Sequence, residues 1–224
     1  MNGEQARSFD LSIRETPGGP VPLLRRGPAG APTVLLIQPL FEELNRCRRF
    51  LADLGREFAT IGIASLLPDL PGEGDSSIPY PADGVAGWDR CVDALADGIA
   101  AVVAMRGGAL IASPQGIARR NIAPARDGNA ILRDMMRAEA FAEIEATGAR
   151  VDAAHYAARF AAGETVRLVG YAIPPTLHAS LSARTADEAT AIAFEAAPIW
   201  RQAEPVRALA EARRIAAEIA EMVG

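Results

Sequence analysis

Apolar positions alternate between two rhythms along this chain. Thr33 to Gln38 (TVLLIQ) is a continuous apolar run that stops before Pro39, the pattern of a strand buried on both faces in a parallel sheet. Leu44, Cys47, Leu51, Leu54 and Phe58 then recur every three or four residues, which predicts an amphipathic helix from Glu42 to Phe58. Glu42 and Glu43 lie in its first turn, where negative charge suits the helix dipole. Ile61 to Leu67 is the next buried strand, and this β–α–β order implies parallel strands joined by a right-handed crossover. Trp88, Val92, Leu95, Ile99 and Val102 keep helical spacing, with Asp89, Asp93 and Asp97 on the other side. A second helix is therefore predicted to run to the stop at Arg106-Gly107-Gly108. Ala109 to Ala112 becomes the third parallel strand, and Ile122 falls in a short fourth.

The flanks read differently. Residues 1–31 are rich in Gly, Pro and Arg, an irregular segment with two short apolar pieces, Leu11–Ile13 and Val21–Leu24. These predict antiparallel edge strands joined by the turn Pro17-Gly18-Gly19-Pro20. Residues 129–162 read as helical, and a lid-like segment is expected over 125–162. Val166–Val169 predicts a strand, Pro174-Pro175 opens a helix to Ala183, and Ala191–Phe194 predicts a last strand. Val206, Leu209, Ile215, Ile219 and Met222 mark a C-terminal helix, supported by the i,i+4 pairs Arg207/Glu211 and Arg214/Glu218. The fold class is α/β: one domain over 32–224, a mostly parallel sheet flanked by helices.

Composition narrows the function. The net charge is −5 and no basic tract exceeds a pair of arginines, so there is no electrostatic footprint for nucleic acid. No apolar run approaches a membrane span, and the first twenty residues hold no signal-peptide core, so a cytoplasmic location is expected. Two cysteines, Cys47 and Cys91, make no disulfide framework and read as buried thiols. His155 and His178, without a neighbouring carboxylate or cysteine cluster, give no metal-site spacing, and nothing in the sequence asks for a cofactor.

Two loops carry the chemical signal. Asp69-Leu70-Pro71-Gly72-Glu73-Gly74-Asp75-Ser76 fits D-x-x-G-x-G-x-S, the way α/β-hydrolases leave their second central parallel strand. A G-x-S-x-G nucleophile turn should follow about 30–50 residues later, and this chain has none. Gln38-Pro39-Leu40-Phe41-Glu42-Glu43-Leu44-Asn45-Arg46-Cys47-Arg48-Arg49 follows the first central strand. Together these loops resemble the exosortase A system-associated hydrolase 2 family, whose pattern there is like H/P-P-F-A-E-E-M-N-K-S-R-R. Gly163–Tyr171, Pro198-Ile199-Trp200 and Glu204 are similar to later patches of that family. The resemblance implies an α/β-hydrolase-type fold and a bacterial protein encoded near exopolysaccharide and protein-sorting genes. It also implies hydrolysis of an ester or acyl bond. The family's turn after the third strand is G-L-R-x-G-like; at the expected place this chain reads Ala112-Ser113-Pro114-Gln115-Gly116, with a shortened helix after it. A second contraction falls between Leu181 and Ala191, where hydrolases carry the triad acid.

Ser113 is the candidate nucleophile at that turn. Residue 114 is proline, with no N–H to stabilise an oxyanion, so a polar residue ending a strand is the competing reading. Glu42, Glu43, Asn45 and Arg48 sit at the carboxyl end of the first central strand, where open α/β sheets bind ligands. Two acids, an amide and an arginine suit a sugar or a phosphate-bearing group; a capped helix start with a surface Glu/Arg network is the alternative. Asp69 and Ser76 join this candidate ligand set, while the glycines between them shape the loop. Two functions stay open: a hydrolase with a degenerate nucleophile turn, and a non-catalytic binding or accessory protein on the same scaffold. The expected partner is a small-molecule or glycan-linked ligand, and a homo-oligomer is compatible with the sequence.

Overall fold

The computed structural model describes residues 9–148, 150–202, 204 and 206–223; the first eight residues of the predicted N-terminal segment lie outside them. Strands β1 (Phe9–Thr16), β2 (Gly19–Arg26), β3 (Thr33–Ile37), β4 (Ala64–Pro68), β5 (Ile99–Met105), β6 (Ala118–Ile122) and β9 (Ala191–Ile192) form one sheet in the order β1-β2-β4-β3-β5-β6-β9. β1, β2 and β4 pair antiparallel, and β4, β3, β5, β6 and β9 pair parallel. A separate hairpin joins β7 (Val166–Leu168) to β8 (Tyr171–Ile173).

β3 and β5 are almost wholly apolar because both of their faces are covered. Val34 and Leu36 point to one side, where α1 (Glu42–Thr60) lays Cys47, Phe50, Leu51, Leu54 and Phe58 on them. The C-terminal α6 (Leu209–Val223) packs Ala212, Ile215, Ala216 and Ile219 into the same layer. Leu35 and Ile37 point the other way, into a core with Trp88 and Val92 of α2 (Val85–Ala94) and the buried faces of α3 (Gly128–Thr147), α4 (Ala153–Ala161) and α5 (Pro175–Ser182). Trp88 is fully buried and donates its indole N–H to the Pro71 carbonyl at 2.8 Å, which fixes α2 against the loop after β4.

The second central strand starts at Ala64, not Ile61, and the last helix at Leu209, not Val206, with Arg207 beside Asp53 in place of Glu211; the larger departure lies between α2 and β6. The second helix ends at Ala94, not at Met105; Gly98 turns the chain with φ +72°, and Ile99–Met105 is the third parallel strand. Val102 and Val103, β-branched and bracketed by β3 and β6, are strand residues there. Ala109–Ala112, predicted as that strand, is instead the end of a 3₁₀ turn (Arg106–Leu110) and the start of the return connection. The third-strand turn therefore lies at Arg106-Gly107-Gly108, not at Ser113.

That turn crosses the end of β3 closely. A Cβ on Gly108 would stand 2.5 Å from the Gln38 carbonyl oxygen and 2.7 Å from that of Ile37, both backbone atoms that cannot swing away. Gly108→Ala is expected to cost about 2 kcal/mol or more and to lower the melting temperature by roughly 4–8 °C. Thermal unfolding by circular dichroism checks this; an unchanged midpoint would contradict the close crossing.

Candidate functional site at the carboxyl edge

The parallel strands all end on one edge, and their exits are unusual. Among the described residues, four non-glycine residues have positive φ: Phe41 (56°), Arg106 (51°), Ala123 (41°) and Val169 (50°). Phe41 follows β3, Arg106 follows β5 and Ala123 follows β6. Phe41, Arg106 and Val169 line one cleft of about 500 Å³, and Ala123 is bound by Arg106. Such residues cost of order 1–3 kcal/mol each and persist where the surroundings hold them, commonly at functional sites.

Arg106 is the centre of this edge. Its Nε and Nη2 donate to the two carboxylate oxygens of Glu43 on α1 at 3.1 and 3.0 Å, a bidentate pair. Its Nη1 donates to the Ala123 carbonyl at 3.0 Å, and its guanidinium lies 4.5 Å from the Trp200 ring centroid. One turn along α1, Arg46 donates to Glu42 at 2.5 Å and to the Trp200 carbonyl at 3.1 Å. The cleft holds Arg46, Arg106, Arg126, Arg133 and Arg201 against Glu42, Glu43 and Asp134. Glu42 and Glu43 are taken by Arg46 and Arg106, whereas Arg133 and Arg201 are exposed and have no ion-pair partner among the described residues. Helix α3 supplies one wall of the cleft through Ile131, Arg133 and Met135, and Asp127 caps it by accepting from the Ala130 N–H at 2.7 Å.

Behind the cleft lies a buried acid. Glu73, 1 % exposed, accepts from the Phe41 N–H at 2.8 Å and from the Tyr80 hydroxyl at 3.3 Å. Burial pushes its carboxyl up to about 8, against the two hydrogen bonds that favour the charged form. Gly72 and Gly74 make room for it: a Cβ on Gly72 would stand 2.2 Å from the Tyr80 ring, and one on Gly74 2.1 Å from Asp69 Oδ1. The motif loop thus folds around Glu73 and Asp69, which accepts from Gln38 Nε2 at 3.0 Å and from the Asp75 N–H at 3.2 Å.

The sequence candidates are dispersed. Glu42 and Glu43 line the cleft. Asn45 reaches the Tyr171 hydroxyl at 3.4 Å. Arg48 and Asp69 line a different groove, beside β1 and β2, and Arg48 stands 3.8 Å from Asp75. Ser76 accepts from the Ile78 N–H and closes its own loop. Ser113 lies on the return connection from β5 to β6, two residues past Ile111, whose carbonyl is held by Arg119 near the start of β6. Ser113 is outside the cleft lining, and its hydroxyl is buried with no hydrogen-bond partner among the described residues. His155 is exposed on α4, and His178 on α5 stacks on Phe160 at 3.9 Å, its basicity lowered by burial. Cys47 is buried on α1, its thiol pushed up to about 12, chiefly by desolvation. Sequence reasoning missed Arg106, Glu73 and Trp200. The signal for Arg106 was available, since an apolar Ile99–Met105 run closed by Arg-Gly-Gly is a strand meeting a sharp turn.

No family model matches this chain, and no curated protein matches it. Solved structures do. An epoxide hydrolase from Vigna radiata superposes with a TM-score of 0.50 at 16 % identity, over 81 % of this chain and 73 % of that one. An epoxide hydrolase from an endophytic Streptomyces gives 0.44 at 22 % identity, over 63 % and 50 %. The thioesterase domain from the curacin biosynthetic pathway gives 0.40 at 20 % identity, over 47 % and 38 %. The chain thus spans less than half of that thioesterase domain and half of that Streptomyces enzyme. The sheet and its helices have the α/β-hydrolase fold. In that fold the nucleophile stands on the sharp turn after a central strand, and the loop after β3 supplies an oxyanion donor. Arg106 stands at such a turn after β5, and the Phe41 N–H of the β3 loop is engaged by Glu73.

Glu73 makes stability depend on pH. Its carboxyl titrates near 8 when folded and in the ordinary carboxylate range when unfolded, so between these values the native state holds the extra proton. Its stabilising contribution is full at low pH and is lost as pH rises through about 8. Glu73→Gln, which keeps an acceptor for Phe41, is expected to gain stability relative to wild type between pH 5 and pH 8. Denaturant midpoints of both proteins across that range provide the check; parallel curves would count against a protonated Glu73.

Proposed function

We propose that this protein is a ligand-binding member of the α/β-hydrolase fold that holds an anionic, glycan-linked or other small acidic molecule in the carboxyl-edge cleft. The observation that carries this reading is Arg106: an arginine clamped bidentately to Glu43 occupies the strained turn where a serine hydrolase needs its nucleophile. Three further features agree. The Phe41 N–H is already occupied by a buried carboxyl. Arg133 and Arg201 face the cleft without an ion-pair partner among the described residues, beside the aromatic platform of Trp200. Neither histidine lines the cleft.

The mechanism is recognition. Arginine forks pair with carboxylate or phosphate oxygens through parallel N–H bonds, and each charge-assisted contact contributes about 1.5–3 kcal/mol. Arg106, on the strained exit from β5, holds the Trp200 indole beside the cleft before a ligand arrives, which lowers the ordering cost of binding. The resemblance of Glu42–Arg49 to the exosortase A system-associated hydrolases supplies the biological setting, exopolysaccharide production from the cytoplasm. A second reading keeps hydrolysis of an ester or acyl bond in that setting. It is supported by the same resemblance and by the hydrolase fold of the epoxide hydrolase neighbour.

Two measurements separate the readings. A fluorophosphonate active-site probe is expected to leave the protein unlabelled; labelling abolished in Ser113→Ala would establish a serine enzyme and overturn the proposal. A uronic-acid oligosaccharide titrated against Trp200 fluorescence is expected to bind. Its affinity should fall about tenfold or more in the Arg133→Ala/Arg201→Ala double variant. Equal affinity in both proteins would place the anion elsewhere.

A further inference from the structure

We propose that β1 is a self-complementary dimer interface, through which two copies of the chain pair their edge strands antiparallel about a two-fold axis at Ser12. This inference is independent of the cleft. β1 is the edge of the seven-stranded sheet, and its face carries Phe9, Leu11 and Ile13 at 58, 69 and 70 % exposure. A long apolar edge left open is a template for strand addition, and a two-fold pairing closes it.

The backbone of this edge is already set. Ile13 and Glu15 face Pro22 and Pro20 across the β1–β2 ladder. Proline has no N–H, so these are the non-bonded pairs of the antiparallel pattern. Ile13 and Glu15, and by the period of two Phe9 and Leu11, therefore turn their N–H and C=O groups to the open side. A second β1 strand can only match these positions with one another. Centred on Ser12, the register sets Leu11 against the partner's Ile13 and exchanges both backbone bonds there. The same register sets Asp10 against the partner's Arg14 and Arg14 against the partner's Asp10. Centring on Leu11 or Ile13 instead would leave these charges opposite neutral or other residues.

The charges are free to make this pairing. Asp10 and Arg14 are exposed, and neither has an ion pair among the described residues; Arg25, opposite Asp10 in the ladder, spends its guanidinium on the Gly27 and Pro28 carbonyls. The apolar face of β1 continues into a groove of about 540 Å³ whose lining includes Leu11, Ile13, Leu24, Leu36, Leu51 and Leu67. A second copy brings its own Leu11 and Ile13 to the rim of that groove.

Sedimentation velocity over a concentration series tests the register. Wild type is expected to dimerise. Asp10→Arg and Arg14→Asp each replace two attractive cross-strand pairs by repulsive ones and should raise the dimer dissociation constant roughly tenfold or more. Mixing these two variants should restore a dimer, because each then faces its opposite. Unchanged circular dichroism spectra would show that both remain folded. A monomeric wild type, a wild type that leaves solution only onto lipid vesicles, or a mixture no more associated than its separate components would each overturn the proposal.

Discussion

The carboxyl edge of this protein is held by the guanidinium of Arg106. It joins the start of α1 through Glu43, the exit of β6 through the Ala123 carbonyl, and the loop after β9 through the Trp200 ring. Both Arg106 and Glu43 are mostly buried, with side chains 16 and 25 % exposed, so the pair is sheltered from solvent screening. Bidentate charge-assisted bonds of about 1.5–3 kcal/mol are of the same size as the cost of a non-glycine residue at positive φ, about 1–3 kcal/mol. The clamp is therefore large enough to hold the strained turn on which it sits. A residue doing this work is not available as a nucleophile or a mobile acid.

The surrounding residues follow from that arrangement. Gly107 and Gly108 let the turn pass over the end of β3, where a Cβ would meet Leu40, Ile131 and the carbonyls of Ile37 and Gln38. Glu73 fixes the Phe41 backbone from behind and is itself wedged between glycines that admit Tyr80 and Asp69. With Glu42 and Glu43 neutralised by Arg46 and Arg106, and Asp134 beside Arg137, the exposed Arg133 and Arg201 leave the cleft surface net positive. The fold is that of the α/β-hydrolases, and the proposed anion site draws on the charge left at this edge.

Much of this was legible in the sequence. The β3–α1–β4 unit was readable because a both-faces-buried strand and a one-face-buried helix have different periods, and Val34–Ile37 and Leu44–Phe58 follow them cleanly. β5 was not, because Leu95, Ile99 and Val102 happen to continue the helical spacing of Trp88 and Val92 through the break at Asp97-Gly98. Alanine gives no periodicity to arbitrate in IAAVVAM. Placing that strand at Ile99–Met105 instead of Ala109–Ala112 moved the turn from Ser113 to Arg106, and with it the whole reading of the site. Glu42 and Glu43 could be placed from their strand end alone. Their partners could not, since Arg106 lies 63 positions from Glu43 and Glu73 lies 32 from Phe41, and only the folded sheet brings them together.

Arg106 and Glu43 act as one structural unit at the turn. A double-mutant cycle on unfolding free energy tests it most directly, comparing wild type, Arg106→Ala, Glu43→Ala and the double variant. A coupling of about 1–3 kcal/mol is predicted for groups in direct bidentate contact. Effects that add to within about 0.5 kcal/mol would show the two residues to be independent and would contradict the clamp.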